Sequence, residues 1–264
     1  VARRGCKAAL AAVLMLAATA ALAGGPEALP LSTLGSPKQE GVSALTYPAT
    51  RVLPLVEEKF GQKVADPYRW LENDVRTDRE VEDWVAAENR ATDSYLATLP
   101  GRQILKDRMK ALFNYERYSV PRKASSLYFY ARNSGLQNQS PLYVREGLGG
   151  KARLLIDPNS WAKDGTTALA EWEPSPDGRK LVYAVQDGGS DWRTLHVIDV
   201  ATGSVLPDRI EWVKFSRLEW DRAGEGFFYS RFPAPEQGRE YLNADLNNTV
   251  YYHRLGTDQS ADRL

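Results

Sequence analysis

Beyond residue 125 the chain repeats one plan about every 50 residues, and this recurrence restricts its fold more than any other feature. The middle copy runs from Glu171 to Gly203. In it, Ser175-Pro176-Asp177-Gly178 puts proline where a turn wants φ near −65° and glycine where it wants positive φ, which predicts a tight hairpin connection. Leu181–Val185 and Leu195–Val200 flank the turn cluster Asp187–Trp192, and Thr202-Gly203 closes the unit. Both apolar runs are of strand length, and neither alternates strictly. A sheet covered on both faces is expected. Tyr128-Phe129-Tyr130 and Leu142-Tyr143-Val144 lie 53 residues upstream of the matching landmarks, counted from Tyr130 to Tyr183 and from Leu142 to Leu195. Gly226–Ser230 and Val250–His253 lie about 46 to 54 residues downstream of them. Short strands in units of this size predict β-propeller blades, with a non-repeating β-sandwich as the alternative.

The chain before the repeats is different in kind. Arg3, Arg4 and Lys7 precede an apolar run from Ala8 to Leu22, and Ala21-Leu22-Ala23 fits the small-x-small pattern of signal cleavage. An export signal over 1–23 is expected. The run is too short for a membrane anchor, which needs about 20 apolar residues. The residues around Arg3-Arg4 lack the further marks of twin-arginine export. Cys6 would leave with the signal, so the mature chain would have no disulfide or thiol chemistry. Residues 24–48, rich in Pro, Gly, Ser and Ala, read as a disordered leader. Arg51–Val56, interrupted by Pro54, reads as an edge strand or extended arm.

A helix start and then two longer helices are expected next. Asp66-Pro67 reads as a helix start, with Asp66 as the cap. Thr77-Asp78-Arg79-Glu80 reads as a capping box in which Glu80 reaches back to Thr77. The helix that follows carries Val81, Trp84, Val85, Tyr95 and Leu99 on one side and stops at Pro100-Gly101. A second helix carries Leu105, Met109, Leu112 and Phe113. Both stripes, together with Trp70, Trp84 and Trp172, are expected in the core.

Composition and motifs exclude several chemistries. With 34 basic and 34 acidic residues and no long run of either sign, nothing invites nucleic acid or an anionic membrane. Gly188-Gly189-Ser190-Asp191-Trp192 comes nearest to the Gly-x-Ser-x-Gly nucleophile elbow, but Trp192 replaces the last glycine and the stretch lies between two strands. His196 and His253, the two histidines, fall inside strand patterns and read as structural. They supply no zinc ligand set. Gly147–Lys151 reads as a blade-to-blade turn, not as a phosphate-binding loop.

Several stretches together resemble the prolyl oligopeptidase family of serine peptidases. They are Val64–Glu72, Asn133–Ser140, Gly188–Trp192, Trp212–Ser216, Gly226–Arg231 and Tyr251–Ser260, within a resemblance that spans Tyr47 to Leu264. Asp66–Glu72 is also similar to the related oligopeptidases that cut after basic residues, whereas Asn133–Ser140 leans toward the proline-specific branch. Phe60-Gly61 departs from the family, where many members have His-Gly.

The resemblance implies a mainly β fold: a partial seven-bladed β-propeller at 115–264, of somewhat under three blades, after a short α-helical segment at 49–114. That segment would pack on a C-terminal α/β-hydrolase domain of the same polypeptide, which is absent from this chain. The complete protein would be a periplasmic or secreted monomer that cleaves short proline-containing peptides after proline by a Ser/His/Asp mechanism, the propeller gating access. No cofactor, metal, nucleic acid or membrane partner is implied once the signal is removed. The chain alone would carry no catalytic residue and be inactive. By matching to the family, Phe215 lines an outer substrate subsite, and Asp191 faces the hydrolase domain and pairs with an arginine that engages substrate. The structural alternatives are a core aromatic for Phe215 and a turn cap for Asp191. The rival to the enzyme is a short binding module or remnant whose partial propeller another chain completes.

Overall fold

The computed structural model describes residues 46–264, except 237, 239, 242 and 243. The export signal expected at 1–23 and nearly all of the leader expected at 24–48 lie outside the described residues.

The described chain opens with a hairpin, β1 (Val56–Lys59) and β2 (Gln62–Ala65). Lys59 pairs with Gln62, so only Phe60 and Gly61 turn the corner, at φ 53° and 75°. Positive φ at both positions is the mark of a type I′ turn, one of the two whose twist suits the flanking strands. Main-chain bonds from Leu53 to Pro67 and from Asp66 to Leu55 extend the ladder backwards, so the expected arm is one side of a hairpin.

The helix expected from Asp66 is a single 3-10 turn, Arg69–Glu72. The Asp66 carboxylate accepts from Arg69 Nε at 2.5 Å instead of capping, and Arg69 also reaches Glu57 at 2.6 Å. The first long helix, α1 (Arg79–Thr98), is capped one residue later than expected. Asp78 accepts from the Glu80 and Val81 amides at 2.9 and 3.2 Å. Glu80, expected to reach back to Thr77, takes the Arg51 guanidinium through two bonds of 2.5 and 2.7 Å. Such a bidentate, charge-assisted pair outcompetes a neutral amide.

Trp70 is buried as expected, its indole bonded to the Arg51 carbonyl at 3.0 Å, while Trp84 and Trp172 are half-buried. Val81 is buried and the rest of the α1 stripe half-covered. α2 (Arg102–Phe113) corrects the expectation of a core helix: Leu105 is 67% exposed, and Met109, Leu112 and Phe113 are more than half exposed. No described part of the chain lies over that face.

The sheet region begins at Arg117. Blade 1 consists of β3 (Arg117–Tyr118) and β4 (Arg122–Ala124), both paired with β5 (Leu127–Asn133), then β6 (Leu142–Glu146) and β7 (Arg153–Ile156). Gly147–Lys151 turns between β6 and β7, so it lies within one blade and not between two, as had been expected. Blade 2 is the antiparallel meander β8 (Ala168–Pro174), β9 (Lys180–Gln186), β10 (Arg193–Asp199) and β11 (Val205–Val213). Blade 3 has β12 (Glu219–Trp220), β13 (Gly226–Arg231) and β14 (Thr249–Arg254), with a bridge from Tyr252 to Arg263 beyond it. The landmarks of the repeat meet as cross-strand pairs: Tyr130 with Tyr143, Tyr183 with His196, and Tyr229 with Tyr251. Ser175–Gly178 joins β8 to β9 as expected, closed by the Gly178 amide on the Ser175 carbonyl at 2.8 Å.

Blade 2 is covered on both faces. Leu181, Tyr183, Ile198 and Val200 pack with Phe129, Leu142 and Val144 of blade 1. Val182, Ala184, Leu195 and Val197 pack with Phe227 and Tyr229 of blade 3. Each Leu, Ile, Val or Phe among them, fully buried, contributes about 1.5–3 kcal/mol. Polar bonds close the same seams. Arg122 grips Glu173 and lies over the Trp172 ring at 4.6 Å, and the Trp220 indole donates to the Glu173 carbonyl at 2.9 Å. His253, fully buried, bridges Asp262 at 2.7 Å and Asp208 of β11 at 3.1 Å. The Tyr229 hydroxyl donates to the same Asp262 at 2.5 Å.

Candidate functional site

Antiparallel meanders send alternate connections to opposite ends. One end of the blades receives the tight turns at 147–152, 175–179, 200–204 and 221–225. The other end receives the longer β5–β6 and β13–β14 loops at 134–141 and 232–248, together with the β9–β10 loop at 187–192 and the β11–β12 turn at 214–218. Long loops held on a rigid sheet are where binding groups concentrate.

Asp191 and Phe215 both lie at this end. The last cross-strand pair of blade 2 there is Arg193 with Val213, and each candidate sits two residues beyond it. Phe215 is 60% exposed, with φ at 53°, so it is not a core aromatic. Left-handed backbone at a bulky residue costs about 1–3 kcal/mol and is a mark of functional turns. Asp191 is exposed, and its carboxylate has no hydrogen-bond or ion-pair partner among the described residues. The turn is capped by its neighbour: Ser190 Oγ accepts from the Trp192 amide at 3.0 Å.

Sequence reasoning missed the groups that tie these loops together. Arg76, from the segment before α1, bonds Asp74 at 2.9 Å, approaches Asp187 at 3.8 Å and donates to the Tyr241 hydroxyl, its guanidinium lying over that ring. The guanidinium holds the Asp74 carboxyl below the usual carboxylate range. The Trp192 indole donates to the Glu240 carbonyl at 2.7 Å and meets Trp212 edge-on at 5.5 Å. Beside this node a groove of about 750 Å³ is lined by Glu72, Asp74, Asp78, Glu80, Glu240 and Tyr241. No local pattern marks Arg76 or Tyr241, because they meet across 165 residues.

Among the described residues no serine or threonine hydroxyl is hydrogen-bonded to a histidine. Ser190 serves its own turn, His253 is occupied by two aspartates, and His196 lies against the Tyr183 ring at 5.5 Å. Burial pushes the His196 imidazole below its ordinary range, aided by the charge of Arg209. Among those residues no group of three or more His, Cys, Asp or Glu side chains is arranged to hold a metal ion, and no helix is long and apolar enough to cross a membrane.

The model of a family described as the prolyl oligopeptidase N-terminal beta-propeller domain matches residues 47–264. The prolyl endopeptidase of Elizabethkingia meningoseptica is 38% identical over 222 residues, covering 84% of this chain and 31% of the relative. That of Dictyostelium discoideum is 30% identical over 254 residues, covering 78% and 33%. Among solved structures, one from a structural and mechanistic analysis of two prolyl endopeptidases matches with a TM-score of 0.70 at 37% identity, over 83% of this chain and 32% of that one. Prolyl oligopeptidase B from Galerina marginata, bound to a 35mer hydrolysis and macrocyclization substrate, matches with a TM-score of 0.64 at 30% identity, over 82% and 33%. The chain spans about a third of the length of the curated relatives it matches.

Proposed function

The chain belongs to the prolyl oligopeptidase family, and on that premise we propose that it is the N-terminal part of an exported serine endopeptidase that cleaves short peptides after proline. In this reading the Ser, His and Asp of catalysis come from an α/β-hydrolase domain of the same polypeptide. The part described here binds and gates. Phe215 offers an apolar face to a peptide residue upstream of the proline, and Asp191 pairs with an arginine of the hydrolase domain that engages substrate. Narrow access past the blades excludes folded proteins. The chain alone is inactive, and the complete enzyme works as a monomer in the periplasm or outside the cell.

One observation carries this reading: the two residues matched to substrate-facing positions are both exposed and unengaged at the same end of blade 2. The test measures hydrolysis of a Gly-Pro amide in periplasmic extracts, alongside the mass of the native product. Loss of turnover on deleting the gene, with a product more than twice the 29.5 kDa of this chain, is the expected result. Unchanged turnover, with a product of about 27 kDa after signal loss, overturns the enzyme in favour of a binding module.

A further inference from the structure

Lys214 is the side chain of the loop end whose placement is hardest to explain by packing alone. Only 8% exposed, it lies between Trp212 and Phe215, whose φ values of 62° and 53° fall in the left-handed region that bulky residues avoid. Its Nζ stands 3.8 Å from the centre of the Trp192 ring and 6.0 Å from that of Phe232, and pairs with Asp245 at 2.7 Å. An ammonium is strongly hydrated, and its long stem lets it leave for water. Here one carboxylate and one indole face replace that water. Three loops contribute: Trp192 from β9–β10, Lys214 from β11–β12, and Phe232 with Asp245 from β13–β14.

The backbone around Lys214 is pinned on both sides. The Phe232 amide donates to the Trp212 carbonyl at 3.1 Å, and the Ser230 amide to Ser216 Oγ at 2.8 Å. Between those pins Lys214 points inward and Phe215 outward. The indole that holds the ammonium belongs to the residue after Asp191. We infer that Lys214 is a positioning residue: its ammonium, clamped between Trp192 and Asp245, fixes the left-handed turn that presents Phe215. It thereby sets the preference for peptides that carry an apolar residue upstream of the proline. This rests on the substrate-facing role proposed for Phe215.

The test uses the full-length polypeptide, with a Gly-Pro amide and a proline peptide extended upstream by two apolar residues. Lys214→Met is expected to lower the preference for the longer substrate about tenfold, through KM and with little change in kcat. Phe215→Ala does the same, and adding Lys214→Met to it costs less than about twofold more, because one acts through the other. Lys214→Arg restores the preference to within about threefold, since a guanidinium also stacks on indole and pairs with carboxylate. Should Lys214→Met fail to fold, Asp245→Asn removes the counter-ion and shifts KM in the same direction. Equal losses on both substrates, or full additivity with Phe215→Ala, overturn the inference.

Hydrogen exchange of residues 210–218 in the same variants reads the turn without turnover. Exchange about tenfold faster there in Lys214→Met, with β9 unchanged, supports the inference. Unchanged exchange overturns it. A wild type inert toward both substrates sinks the role of Phe215, while exchange still decides whether Lys214 holds the turn.

Discussion

Blade 2 and helix α2 both carry an apolar signal, a continuous run of strand length in the blade and a stripe at the helical period in α2, and they meet opposite fates. The blade buries Leu181 and Val182 on opposite faces, both fully. The helix leaves Leu105 and Met109 in water. An apolar pattern therefore tells which residues require cover, and not what provides it. For blade 2 the cover is the next repeat on either side. For α2 nothing in the described chain serves, and the hydrolase domain proposed for the same polypeptide is the expected cover.

The comparison can be broken most directly by truncation. Phe227→Ala, in the seam between blades 2 and 3, is expected to cost about 3–5 kcal/mol in urea unfolding of this chain, and Leu105→Ala less than about 0.5 kcal/mol. Comparable losses would show that α2 is packed in solution. Next in size is the polar part of the seam. His253→Leu leaves Asp208 and Asp262 buried without the ring between them, a loss of about 2–3 kcal/mol. A neutral result would mean that water replaces the imidazole.

Charge on the helix sharpens the contrast. Leu105→Glu with Met109→Glu is expected to leave the unfolding midpoint of this chain unchanged and to reduce its self-association, followed by light scattering. A fall of several degrees would refute the uncovered face. The smallest effect comes from pH. Burial holds the His196 imidazole below its ordinary range, so the unfolded chain takes up that proton first. The stability His196 contributes is complete above the ordinary histidine value, near 6.5, and is lost as pH falls below it toward the folded one. Between pH 7 and 5 the midpoint should decline, and less steeply in His196→Phe.

The blades were legible because their information is local and repeated. Tyr130, Tyr183 and Tyr229 each fall opposite an aromatic ring on the next strand, and a tight turn such as Ser175–Gly178 fixes a register without outside help. Errors arose where distant partners intervene. The cap moved to Asp78 because Arg51, far away in sequence, claims Glu80. Gly147–Lys151 gave a sound turn signal, but a turn does not say whether the strand after it joins the same sheet. At the loop end, Asp191 and Phe215 were singled out by resemblance alone. The groups that organise their surroundings, Arg76 and Lys214, draw partners from separate loops, and no window of sequence contains such a set.

The two-sided burial of blade 2 also has a consequence in time. The face carrying Val182 closes only when Tyr229 has been made, 47 residues later, counted as 229 minus 182. At about 5–20 residues per second, a ribosome exposes that face for about 2 to 9 seconds. During synthesis each blade thus waits, half wet, for its successor, and that interval is when a holding chaperone would find it.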